Sequence, residues 1–341
     1  MICVVRVGET RLTAGFNNPR GLTFGPDGDL YVAEGGLGGT NSTVGQCTQA
    51  SGAAAPYTGS TDDPVLGSRI SKVDPNGNVT TVVNALPSSQ TAPALGGLVT
   101  GVTSVAFIGD HLYGLLGGAG CSHGVPTVPN GVFKVHRDGR WSLIADLSAF
   151  IQANPVANPD EEDFEPDGTW YSMISIDGAL YPMDSNHGEL DRVTPDGSIS
   201  RVIDISAAVG HVVPTALAFR RHLLISNLGL FDPTDAVGDE HVYKLNRHGA
   251  LKDVATGVEK VLGLAFRGRR LYALETSTTA GLPTPGNGAI VRVRRHGPPE
   301  PVVSGLSLPT GMTVGPDGAL YVSEQGFGFP AGAGRILRIT L

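Results

Sequence analysis

The sequence predicts an all-β fold: a six-bladed β-propeller with four antiparallel strands per blade, the N-terminal strand closing the last blade. Three observations predict it. A strand–turn–strand unit recurs six times, a second hairpin follows each of the first five, and the last unit runs out one strand short of a blade. Composition agrees. The 341 residues include 48 Gly and 24 Pro but only 16% charged residues, which suits many short strands joined by tight turns.

Blade 1 carries the clearest unit, Pro19-Arg20-Gly21-Leu22-Thr23-Phe24-Gly25-Pro26-Asp27-Gly28-Asp29-Leu30-Tyr31-Val32-Ala33-Glu34. An apolar strand meets a Pro-Asp-Gly turn, in which Pro presets φ and Gly accepts a positive one, and a second strand follows. The outer hairpin runs through Arg69–Val73, the turn Asp74-Pro75-Asn76-Gly77, and Val79–Val83. Blade 2 repeats the pattern from Val105 to Tyr113 with an outer turn at Arg137-Asp138-Gly139. A short helix follows near Ser148–Ala153, stopped by Asn154-Pro155. Blades 3, 4 and 5 carry the unit at Met173–Tyr181, Leu217–Leu224 and Leu264–Tyr272, with outer turns at Pro195-Asp196-Gly197, Arg247-His248-Gly249 and Arg295-His296-Gly297. Blade 6 returns to a close copy of the first unit, Pro309-Thr310-Gly311-Met312 through Tyr321-Val322-Ser323-Glu324. After Arg335–Ile339 the chain stops. The stretch through Arg11–Gly15 is therefore expected to supply the outer edge of blade 6, removing the open sheet edges and making residues 1–341 one domain.

The remaining bulk features exclude some partners. Net charge is −8 and no Lys/Arg run or basic aromatic stripe stands out, so nucleic acid is not expected. No apolar stretch is long enough to span a bilayer. A small-molecule ligand and a monomer are the expectation. Cys47 and Cys121 both fall in long Gly-rich loops, which favours a disulfide over buried thiols and implies an oxidising compartment, with Cys3 left over. Met1–Val5 lacks the features of a secretory signal.

The fold predicts where a site lies. Insertions at 35–66, 117–130, 228–240, 276–287 and 325–333 all fall on one face, and the opposite face receives tight turns only. Residues just after the second strands meet at the channel mouth on the insertion face: Glu34, Leu116, Asp184, Asn227, Glu275 and Glu324. Those just before the first strands are Arg20, Thr103, Tyr171, Thr215, Leu262 and Thr310. Two readings of the first set stand side by side. Glu34, Asp184, Asn227, Glu275 and Glu324 form a ring of hard oxygen ligands for Ca²⁺ or another divalent cation. Alternatively each accepts hydrogen bonds from backbone N–H groups of its own following loop, as Glu34 from Gly35-Gly36. The acidic segment Asp160-Glu161-Glu162-Asp163, with Glu165 and Asp167, reads as a solvated run.

His187, three residues past Asp184, is the best candidate general base, with Glu34 and Glu324 as further catalytic candidates. Arg20, Trp170, Tyr171, Phe231 and Phe327 are candidate substrate contacts. No Gly-x-Ser-x-Gly elbow, His-Glu-x-x-His or phosphate-cradling loop names a reaction.

The blade 1 unit, Pro-Arg-Gly-Leu-Thr-Phe-Gly-Pro-Asp-Gly-Asp-Leu-Tyr-Val-Ala-Glu, resembles the ScyD/ScyE family of bacterial propellers. More distantly the chain is similar to NHL-repeat, gluconolactonase and strictosidine-synthase propellers. The resemblance spans the whole chain, including Val213–Phe219 and Asp167–Val193. It implies an exported, secreted or periplasmic six-bladed propeller. Two departures bear on function. Blade 3 has Asp167-Gly168-Thr169-Trp170-Tyr171 where the ScyD/ScyE type carries Asn-Pro-Tyr-Gly. Thr103, Thr215 and Leu262 stand where gluconolactonase-type enzymes place Asn and Asp before the inner strands, so that metal site does not carry over. The expected function is a metal-assisted hydrolase or lactonase at the channel mouth, against a non-catalytic ligand- or protein-binding propeller. Perturbed carboxylates favour the first, and a ring absorbed by hydrogen bonds favours the second.

Overall fold

The computed structural model describes residues 8–52, 55–91, 98–231 and 236–341, and Cys3 lies outside the described residues. Within them, six four-stranded antiparallel sheets form a closed ring. Blade 1 is Pro19–Phe24, Leu30–Glu34, Ser68–Val73 and Val79–Leu86. Blade 2 is Val102–Ile108, His111–Leu116, Gly131–Val135 and Trp141–Asp146. Blade 3 is Trp170–Ile176, Ala179–Asp184, Glu189–Val193 and Ile199–Asp204. Blade 4 is Pro214–Phe219, Leu223–Asn227, Glu240–Leu245 and Leu251–Val258, and blade 5 is Val261–Arg267, Arg270–Glu275, Gly288–Val293 and Glu300–Leu306. Blade 6 takes Gly311–Val314, Leu320–Glu324 and Gly334–Thr340 from the C-terminal end and Gly8–Phe16 from the N-terminal one.

The closing strand runs antiparallel to Gly334–Thr340, in register from Gly8↔Thr340 to Phe16↔Gly334, with irregularities at Arg11/Thr13 and Ala14/Phe16. Phe16 is buried with Ile336 and Tyr321 of blade 6 against Leu22, Leu30 and Val32 of blade 1, so closure also fills a core.

The hydrophobic core is distributed. There are six buried clusters, and each joins two neighbouring blades. Ala33, Ile70 and Val83 meet Val102, Leu112 and Phe133 between blades 1 and 2, for example. Each inner sheet is covered on both faces, which is why strands such as Leu30–Glu34 and Arg270–Glu275 read as near-continuous apolar runs without alternation.

Four local features organise the insertion face. The expected helix spans Leu147–Ala153, capped by Asp146, whose side chain accepts from the Ala149 N–H. A second short helix, Ile205–Val209, repeats the device with Asp204 and the Ala207 N–H. The blade 1 insertion and the connection from blade 1 to blade 2 contribute an unexpected three-stranded sheet of Thr58–Ser60, Ser88–Gln90 and Val99–Thr100. Cys47 and Cys121 are disulfide-bonded and tie the insertions of blades 1 and 2 together.

Candidate functional site

The carboxylates at the ends of the second strands work as clamps within the blades. Glu34 is fully buried, accepts from Asn17 N at 2.7 Å, and takes a two-pronged salt bridge from Arg69 Nε and Nη2 at 2.7 and 2.8 Å. Glu324 repeats this in blade 6, accepting from Ser307 N at 2.6 Å and from Arg335 Nε. Glu275 accepts from Glu259 N at 3.0 Å in blade 5. In each case the N–H belongs to the segment leading into the blade's first strand, not to the following loop where the sequence reading put it. The clamp pins the point at which the chain turns into the channel wall.

The third strand decides how each carboxylate is balanced. Glu34 and Glu324 stand opposite Arg69 and Arg335 in the ladder. Glu275 stands opposite Ala289, and burial with nearby Glu259 and Glu240 pushes it up to about 8. Asp184 stands opposite another acid, Glu189. Glu189 and Asp191 are both buried, and burial, with the nearby charge of Asp184, raises both above the usual carboxylate range. Asn227 accepts from His241 N at 3.1 Å.

A Ca²⁺ ion held by this ring does not fit these residues. Two of the carboxylates are spent on arginines, and among the described residues no three His, Cys, Asp or Glu side chains are grouped as a metal site requires. The catalytic readings of Glu34 and Glu324 meet the same obstacle, since neither carboxylate faces an open space with a free oxygen.

The candidate substrate contacts separate into three places. Arg20 is buried at the channel mouth, where Nη1 donates to Gly326 O and Nη2 to Val99 O, and burial lowers its pKa. Tyr171 reaches across the channel from blade 3, its hydroxyl donating to Thr310 O of blade 6 at 2.8 Å, and burial pushes it up to about 12. These two lie close enough for their charges to interact. Trp170 is fully buried in the core between blades 2 and 3 and offers no surface to a ligand, which corrects its assignment. Phe231 is exposed in the blade 4 insertion and Phe327 half-buried in that of blade 6. The channel itself encloses about 480 Å³, walled by the first strands of all six blades.

A second cavity, of about 610 Å³, lies on the insertion face over blades 2 and 3, and it includes His187. Asp184 builds the turn that places this ring. Its Oδ1 accepts from Asn186 N at 2.9 Å, from His187 N at 3.3 Å and from Thr169 N at 3.1 Å, while Oδ2 faces His187 Nδ1 at 3.3 Å. One oxygen therefore caps the turn, while the other is buried beside the imidazole without a hydrogen-bond partner of its own. Gly168, at φ +70°, leaves room for this, because a Cβ there would lie 2.5 Å from Oδ2. His187 Nε2 is buried and has no hydrogen-bond partner in the protein.

Of the acidic segment only Asp167 lines this cavity, with Phe164 and Pro166 beside it, while Glu161, Glu162 and Asp163 are exposed as a solvated run is. Asn186 accepts from Glu165 N and donates to Asp163 O, drawing residues 163–165 onto the turn and stacking Phe164 on His187 at 5.0 Å. Asp167 takes both the N–H and the hydroxyl of Ser122, next to the disulfide, and Glu165 faces His123 Nε2 at 3.3 Å. Asp163 is pushed up to about 6 by desolvation of its carboxyl and by Glu165 and Asp160. Ile151, Val156, Pro155, Pro159 and Pro166 complete an apolar lining. Phe164, Asn186 and Gly168 escaped the sequence reading, because only the folded chain brings 163–168 against 184–187. Arg69 and Arg335 had a signal: each opens a third strand whose hairpin partner ends in Glu.

No protein-family model and no curated protein matches the chain. Solved structures do. A Thermus thermophilus protein assigned as a glucose dehydrogenase oxidoreductase is 18% identical with a TM-score of 0.60, covering 98% of this chain and 100% of that one. The PQQ-bound aldose sugar dehydrogenase of Streptomyces coelicolor is 15% identical with a TM-score of 0.54, covering 98% of each chain. A protein assigned as a gluconolactonase is 15% identical with a TM-score of 0.51, covering 98% of this chain and 91% of that one. At these identities the likeness establishes the propeller fold.

Proposed function

We propose that this propeller is a small-molecule enzyme of the hydrolase or lactonase type, with His187 as general base in the cavity on the insertion face. The observation that carries the reading is the Asp184–His187 pair. Asp184 Oδ2 beside Nδ1 favours the tautomer with the proton on Nδ1, which leaves the lone pair of the buried Nε2 without a partner in the protein. His187 Nε2 would take a proton from water as that water adds to the carbonyl carbon of an ester or lactone. The same proton would pass to the departing alkoxide as the C–O bond breaks, returning the imidazole to its starting state. Phe164 and the proline-rich lining suit an apolar acyl or ring portion. The Cys47–Cys121 bridge supports an exported protein.

A second reading, a non-catalytic ligand-binding propeller of the ScyD/ScyE type, draws support from the absorption of Glu34 and Glu324 by their arginines. A panel of lactones and chromogenic esters separates the two. Turnover that falls about 10²–10⁴-fold in His187→Gln, and also falls in Asp184→Asn, is expected. Turnover unaffected by His187→Gln sinks the assignment of the base. Ligand binding without any turnover in the native protein favours the second reading.

A further inference from the structure

We propose that the turn-lined face of blades 4 and 5, opposite the cavity, docks onto an anionic lipid surface. That face is built from the turns closing the inner and outer hairpins, and its charge is sharply divided. In blades 4 and 5 these are residues 219–223, 245–251, 267–270 and 293–300, which hold eight arginines and a single acid, Glu300. The seven corresponding turns of the other blades, 24–30, 73–79, 108–111, 135–141, 176–179, 193–199 and 314–320, hold eight aspartates and two arginines. A chain of net charge −8 thus concentrates positive charge on one rim of one face.

The charge on that rim is uncompensated. Glu300 is held by Arg292 and Arg294. Arg220, Arg221, Arg269, Arg270 and Arg295 are exposed and make no salt bridge among the described residues. On the acidic side, by contrast, Lys72 answers Asp27 and Asp29, Arg140 answers Asp138, and Arg338 answers Asp317.

A second observation points to lipid. Phe219 ends the inner strand of blade 4 beside Arg220 and Arg221 and is 44% exposed. Its counterparts pack edge-on against the neighbouring blade: Phe24 on Tyr321 and Phe107 on Tyr31, both at 4.9 Å. An aromatic at a turn tip flanked by guanidinium groups matches the water–headgroup boundary, where the ring enters the acyl region and the cations meet phosphate. A nucleic acid would instead be met by a groove with stacking platforms, and these cations stand on separate turn tips. The acidic turns across the same face tilt the disc, so that the rim of blades 4 and 5 makes the contact and the cavity on the other face stays open to solvent.

Cosedimentation of the full chain with phosphatidylcholine vesicles, with and without phosphatidylglycerol, tests this, with a DNA duplex at equal phosphate as the rival probe. Binding only to the phosphatidylglycerol vesicles, abolished by high salt, is expected. Arg269→Glu/Arg270→Glu should reduce it by at least about tenfold, and Phe219→Ser should weaken it. Asp110→Lys, on the acidic side, should not reduce it. All these side chains are exposed, and matching melting curves confirm intact folds. Equal sedimentation with both vesicle types, binding indifferent to the arginine substitutions, or tighter binding to DNA than to vesicles would each overturn the proposal.

Discussion

At the scale of single residues, the same position serves different ends in different blades. A carboxylate closing the second strand accepts the N–H of the lead-in segment in blades 1, 3, 5 and 6, and the residue across the ladder then decides what it can do. With Arg69 opposite, Glu34 is a neutralised strut. With Glu189 opposite, Asp184 has no arginine across the ladder and instead accepts the His187 N–H, with its other oxygen 3.3 Å from the imidazole Nδ1. This predicts an asymmetry between the two halves of the strut. Arg69→Ala strands a fully buried carboxylate and should cost about 3–5 kcal/mol. Glu34→Gln keeps an acceptor for Asn17 N and lets the half-buried Arg69 reach water, so about 1–2 kcal/mol is expected. Denaturant titration of both variants checks the order, and equal losses would refute it.

At the scale of elements, the strand Gly8–Phe16 does two jobs. It satisfies the outer edge of Gly334–Thr340 and delivers Phe16 to the core between blades 6 and 1. Deleting residues 1–16 should leave an exposed edge and a cavity at once, giving a chain that aggregates at room temperature. A truncated protein that stayed monomeric with an unchanged melting temperature would show that the ring closes without it. The pocket is likewise assembled from elements: the helix Leu147–Ala153, the disulfide-linked insertions and the segment 155–167 reach it from different blades. The repeat made the strand legible, since a blade without its fourth strand announces its partner. No comparable pattern in the sequence marks which loops touch.

At the scale of the whole molecule, buried acids set the pH dependence of stability. Glu275 is pushed up to about 8, and Glu189 and Asp191 are raised together, all chiefly by burial. A raised carboxylate keeps its proton in the folded chain where the unfolded chain has lost it. The folded state then binds more protons, and the stability this confers is lost as pH climbs through the folded value. His211, which burial lowers, works the other way near its ordinary 6.5, so the clean window lies above neutrality. The melting temperature should therefore fall between pH 7 and pH 9. A flat or rising profile there would show that these acids are ionised at little cost.

The blade count, the closing strand and the insertion face were all readable in the chain, because strand periodicity and turn chemistry are local and a repeat multiplies each signal. Trp170 shows the limit. An aromatic beside an inner strand looks the same in sequence whether it meets ligand or core, and only the neighbouring blade decided that it is buried. The carboxylate ring shows it again. Five of the six equivalent positions looked like one convergent set, yet Glu34, Asn227, Glu275 and Glu324 each accept from a donor in their own blade, since a hydrogen bond at 3 Å outweighs convergence across a channel. The arginine-rich rim lies beyond any linear reading too. Its turns are scattered from 219 to 300, and only the circular arrangement of blades gathers them on one side of one face.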